Sequence, residues 1–127
     1  MRALFAAAAG LTLVANTPAP EGAPHPMTGD WVVDLRVSLD DAPYAQPMTL
    51  DIAEDNSVVG TFYGAQIESG RFGAAQGREC VAFRTRDGSG VYQHSACLLG
   101  AVLIGQSWSE GRGFVLPWTA TKTTTGD

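Results

Sequence analysis

The chain has 127 residues with a formal net charge of −5, and only 17 % of its residues are charged. An acidic balance with no basic cluster excludes a nucleic-acid or anionic-membrane surface as partner. Fifteen glycines and many Val, Thr and aromatic residues fit short strands and tight turns, and the length fits one domain.

The first residues differ from the rest. Met1-Arg2 is a minimal positive segment, and Ala3 to Ala15 is an uncharged apolar run. Small residues and prolines follow, with cleavage expected after Ala15 or Ala19. This is the pattern of a secretory signal peptide over residues 1–19, and the run is too short for an ordinary membrane span. Its loss would make the chain one unit more acidic and leave no membrane insertion. Pro18 to Pro26 is proline-rich, so residues 20–28 read as an extended linker with His25 solvated. The barrel-forming part is expected at 29–122, with 123–127 a disordered tail.

Trp31, Val33, Leu35 and Val37 alternate with polar neighbours and predict a half-buried first strand. Ser38 to Gln46 has turn chemistry and predicts a loop. Met48, Leu50 and Ile52 form the inner face of strand two. Ser57 to Tyr63 is strand three, with Gly60 expected opposite a bulky neighbour such as Trp31. Ala65 to Phe72 is strand four, and the facing of Glu68 is open. An inward Glu68 would anchor a cationic ligand near Arg71 or Arg78. Gly73 to Gly77 predicts a turn.

Arg86-Asp87-Gly88-Ser89-Gly90 separates two strand-like runs and predicts a hairpin. A two-residue turn at Gly88-Ser89 sets Thr85 against Tyr92, Phe83 against His94, and Cys80 against Cys97. Directly opposed cysteines lie within disulfide reach. A Cys80–Cys97 disulfide on the outer face is expected, with two reduced buried thiols as the alternative. Val81, Phe83, Tyr92, His94 and Ala96 then face the core. A turn centred on Gly100 sets Ala96 against Ile104, His94 against Gln106 and Tyr92 against Trp108. The inner face then grades from apolar near Gly100 to polar-aromatic near Trp108. Arg112 to Thr121 is the last strand, with Phe114, Leu116, Trp118 and Ala120 inward and a bulge expected at Pro117.

Eight short strands in sequence predict an all-β, antiparallel, eight-stranded up-and-down meander. Closure into a barrel removes its edges, and a two-sheet sandwich is the alternative. Gly29-Asp30-Trp31 at the start of strand one is a G-x-W, and Lys122 follows the last strand. In these two features the chain resembles the calycins, the small meander barrels that include lipocalins, avidins and some bacterial protease inhibitors. The resemblance implies a calycin-like barrel in which Lys122 covers Trp31 and both are structural. It does not extend to biotin, because strand one lacks the Asn and Ser that hold biotin in avidins. The inhibitors carry their disulfide near the first strand, whereas the cysteines here lie further along.

Thr85, Tyr92, His94, Gln106, Trp108 and Phe114 are expected to point toward the barrel end that carries the Ser38–Gln46 loop. Tyr44, Met48 or Leu39 would act as a lid. An aromatic wall with a few polar groups suits a small hydrophobic or aromatic ligand. In the competing arrangement the barrel is filled, and His94 hydrogen-bonds Gln106. No metal or cofactor is implied: one domain histidine has no metal-ligand spacing around it, and the glycines sit in hairpins rather than before a helix. A Ser-His-Asp set drawn from Ser95 or Ser107, His94 and Asp87 is disfavoured, because both serines face outward in this register. The expectation is an exported, periplasmic or secreted, non-catalytic binder. The alternative is a protein-interaction module, such as an enzyme inhibitor, that docks through the proline-rich arm or the mouth loops.

Overall fold

The computed structural model describes residues 24–123. The expected signal peptide, linker residues 20–23 and the tail beyond Thr123 lie outside the described residues. Nine strands are present: β1 Gly29–Asp34, β2 Ala45–Ile52, β3 Ser57–Phe62, β4 Ala65–Gln66, β5 Glu68–Ala75, β6 Arg78–Asp87, β7 Gly90–Leu99, β8 Val102–Ser109 and β9 Phe114–Lys122. Each long strand pairs with its sequence neighbours in antiparallel fashion, and β1 pairs with β9 to close the ring. The two-residue β4 pairs only with β3, so the barrel is eight-stranded with one extra strand.

The β6–β7 hairpin has the expected register, including Thr85 with Tyr92, Phe83 with His94 and Cys80 with Cys97. The two cysteines form a disulfide across the pair, with their Cα atoms 4.0 Å apart. The inner face of strand two is also as expected, with Met48, Leu50 and Ile52 buried, but the strand begins at Ala45, within the expected Ser38–Gln46 loop, where Ala45 and Gln46 pair with Asp34 and Val33.

The β7–β8 hairpin is displaced by one residue from the expected pairing. Its turn is Gly100-Ala101, not a turn centred on Gly100, and His94 pairs with Ser107 while Tyr92 pairs with Ser109. A one-residue slip reverses every side chain of a strand. Leu103, Ser107 and Ser109 are therefore buried, while Ile104 and Trp108 are exposed. The reason is volume. Phe62, Phe83, His94 and Trp118 crowd the barrel interior around the same level. Small residues on β8 leave room for them, and a Cβ on Gly105 would lie 2.6 Å from Trp118 Cη2.

Four smaller expectations are also corrected. Strand one ends at Asp34, whose carboxylate accepts hydrogen bonds from the backbone N–H groups of Arg36 and Tyr44. Leu35 is still buried, but Val37 is 86 % exposed in the loop. Gly60 approaches backbone rather than Trp31: with φ +144°, its added Cβ would lie 2.0 Å from Thr49 O. Strand four is divided into β4 and β5, with a register shift between Glu68 and Arg71, and β5 runs on through Gly73 to Ala75. Pro117 causes no bulge; the β8–β9 pairing runs unbroken from Val102 to Ser109.

The segment before β1 packs instead of serving as a linker. Met27 is fully buried, and its carbonyl accepts a hydrogen bond from Trp31 Nε1 at 3.0 Å. His25 is half-buried, with its ring edge-on to Phe72. Lys122 Nζ lies 5.8 Å from the centre of the Trp31 ring and donates to Pro26 O at 2.9 Å. Thr123 is likewise tied down, its N–H bonded to Asp30 O. This end of the barrel is thereby stoppered.

Candidate functional site

The opposite end carries the residue 35–44 loop, the Tyr63-Gly64 turn, the Gly88-Ser89 turn and the residue 110–113 turn. There the barrel holds an open-mouthed cavity of about 520 Å³. Leu35, Phe62, Tyr92, Phe114 and Leu116 supply apolar and aromatic wall, while Thr85, His94 and Ser107 add polar groups. Tyr44, Tyr63, Arg86, Asp87 and Arg112 are exposed lining residues that form the rim. The interior is thus filled in the Trp31 half and hollow in the other half.

Of the expected ligand-contacting residues, Thr85, Tyr92, His94, Phe114 and Tyr44 line this cavity. Gln106 and Trp108 do not. The β7–β8 register turns both outward, and Gln106 donates to Ser95 on the outer surface instead of bonding His94. Among the expected lid residues, Tyr44 reaches across to Tyr63, with the two hydroxyls hydrogen-bonded. Met48 is instead wholly buried in the core, and Leu39 is exposed without lining the cavity.

The polar groups form one connected set. His94 Nε2 lies 2.8 Å from Thr85 Oγ1, and His94 Nδ1 lies 2.6 Å from Ser107 Oγ. Ser107 Oγ also accepts a hydrogen bond from Trp118 Nε1 at 2.8 Å. The imidazole is packed against Phe62 and Phe83, at centroid distances of 4.2 and 5.0 Å. Burial pushes the His94 pKa down from 6.5 to about 4, because a buried imidazolium loses hydration without gaining a counter-charge. His94 is therefore neutral at pH 7.

Ser107 is the inward residue that the sequence register turned the wrong way. It restores one element of the Ser-His-Asp set without completing it. Both ring nitrogens of His94 are taken by hydroxyls, and Asp87 Oδ1 instead caps its own turn by accepting from Ser89 N–H at 2.7 Å. Ser95 lies on the outer surface with Gln106.

The rim is cationic at one point. Arg112 donates to the Tyr92 hydroxyl at 3.3 Å, and its guanidinium lies 5.0 Å from the centre of the Phe114 ring. Tyr92 raises the Arg112 pKa further above its usual range. Glu68 does not face the cavity; its carboxylate is bound by two nitrogens of Arg86, at 3.0 Å each.

Comparison of the chain with protein-family models, with curated proteins and with solved structures returned no match.

Proposed function

We propose that the protein is an exported, non-catalytic β-barrel that binds a small, largely apolar or aromatic molecule in the cavity beside Tyr92, His94 and Phe114. The observation that carries this reading is the cavity itself, about 520 Å³ with a mouth between the rim loops. Small-molecule sites have such a volume, a mostly apolar lining and a few fixed polar groups. Binding rather than catalysis is supported by the surroundings of His94. An imidazole whose pKa burial lowers to about 4, with both ring nitrogens bonded to hydroxyls and no carboxylate partner, is a weak general base at neutral pH. Export is supported by the leader-like sequence of residues 1–19 and by the Cys80–Cys97 disulfide, a bond typical of oxidising compartments. The calycin resemblance is supported by the Trp31–Lys122 contact at the closed end.

The test is titration with a fluorescent naphthalene dye, followed by displacement with non-fluorescent aromatic compounds. Saturable binding at one site is expected, reduced at least tenfold by Ala65→Trp, which places an indole in the mouth. Absence of saturable binding by the dye and by the competitors overturns the reading.

A second reading, docking of a protein at the same end, draws on Val37 and Leu39. Each is 86 % exposed on the mouth loop. It predicts that Leu39→Ser, at a residue outside the cavity lining, weakens partner capture while leaving dye binding intact.

A further inference from the structure

The hydrogen-bond set at the cavity has an odd proton. Trp118 Nε1–H, the Ser107 hydroxyl, neutral His94 and the Thr85 hydroxyl each carry one donor hydrogen. Three contacts join these four groups: Trp118 to Ser107, Ser107 to His94, and His94 to Thr85. Each contact uses one hydrogen, so one hydrogen is left over.

Its position follows from the chemistry of the groups. An indole N–H only donates, so the Trp118 hydrogen is committed to Ser107 Oγ. If Ser107 donates to Nδ1, the ring hydrogen sits on Nε2 and is given to Thr85, and the Thr85 hydroxyl hydrogen is left. If Nδ1 carries the hydrogen and donates to Ser107, then Thr85 donates to Nε2 and the Ser107 hydrogen is left. Either way the unspent donor is a hydroxyl. Thr85 and Ser107 are each 4 % exposed, both line the cavity, and neither has another side-chain partner among the described residues. A buried donor without a partner is costly, and a ligand that satisfies it is favoured over one that does not.

We infer that the cavity selects a neutral ligand with an aromatic or alicyclic body and a carbonyl-type acceptor at its buried end, held by the Thr85 or Ser107 hydroxyl. This rests on the binding reading above. A carboxylate at that depth would meet no cation, because His94 is neutral and both Arg86 and Arg112 are on the exposed rim. A group that can only donate there, such as an ammonium, would leave the hydroxyl hydrogen without an acceptor. The acceptor end therefore goes in first.

The test uses a matched pair of probes on the intact protein, 2-acetylnaphthalene and its hydrocarbon isostere 2-isopropenylnaphthalene. In a cavity with no donor to offer, the hydrocarbon binds tighter by about tenfold or more, because the ketone leaves its hydrogen bonds in water. With the unspent hydroxyl present, the ketone binds at least as tightly as the hydrocarbon. Infrared spectroscopy of the bound ketone then gives a carbonyl stretch at its alcohol position. Replacing the donating residue, by Thr85→Val or by Ser107→Ala, moves that stretch toward its cyclohexane position.

A cyclohexane-like stretch in the native protein overturns the inference while leaving the binding reading standing. So does an alcohol-like stretch unchanged in both variants. Failure of both probes to bind removes the binding reading and this inference with it.

Discussion

His94 Nδ1 and Ser107 Oγ face each other across β7 and β8 at 2.6 Å, and the same oxygen accepts from Trp118 Nε1. One small hydroxyl thereby joins three strands at the level where the filled half of the barrel gives way to the cavity. Its loss strands two polar atoms in an apolar setting.

Ser107→Ala is expected to destabilise the fold by about 1–3 kcal/mol, the cost of leaving buried polar groups without partners. Gln106→Ala, one residue away on the exposed face, is expected to change stability by no more than about 0.5 kcal/mol. Urea denaturation of the two variants makes the comparison.

Acid should act through His94. Its pKa is pushed down to about 4 in the fold, against 6.5 ordinarily. Between those values the unfolded chain takes up a proton that the folded chain refuses. Stability is therefore full above pH 6.5 and falls as the pH drops toward 4, by about 3 kcal/mol in all. Asp34 is held below the usual carboxylate range by the Arg36 backbone N–H, Asp55 by the Ser57 hydroxyl and Glu68 by Arg86, so their losses come at lower pH. Denaturation midpoints from pH 7 to 4.5 should fall in the native protein and lose most of that slope in His94→Gln.

The disulfide should matter for stability and not for the site. Cys80 and Cys97 are 17 residues apart, so removing the bond by Cys80→Ser with Cys97→Ser is expected to cost about 3 kcal/mol. Both side chains lie on the outer face, away from the cavity. Dye affinity measured well below the unfolding temperature should stay within about twofold of the native value.

The closed end gives a separate stability prediction. Met27 is fully buried beneath Trp31, and Met27→Ala is expected to cost about 2–5 kcal/mol. Thermal unfolding checks it. A change too small to resolve would show that residues 24–28 add nothing to the fold.

The meander, its closure and the β6–β7 register were legible because turn chemistry and the two cysteines agree on one pairing. The cavity's end was legible from the long loop and from the inward run of Thr85, Tyr92, His94 and Phe114. The β8 register was not, because its apolar alternation runs the wrong way. Val102, Ile104 and Trp108 look like a core face, yet Leu103, Gly105, Ser107 and Ser109 are the ones turned inward. Inside a narrow barrel, side-chain volume outweighs polarity, and the bulk of Trp118 requires Gly105 opposite it. The available signal was the two-residue Gly100-Ala101 turn, the commonest length for a hairpin. The packing of Met27 was hidden by the prolines around it, whose extended conformation serves a stopper as well as a linker.

The register decides which tryptophan matters. Trp108 is 45 % exposed on the outside, so Trp108→Ala should leave ligand affinity unchanged. The most direct test of the account is an NMR titration with 2-acetylnaphthalene, followed at assigned side-chain and backbone resonances. Saturable shifts at Thr85, Tyr92, His94, Ser107 and Phe114, with Ile104, Trp108 and Val115 unmoved, are the predicted result. Shifts confined to Ile104, Trp108 and Val115, or no saturable shifts at all, would contradict it.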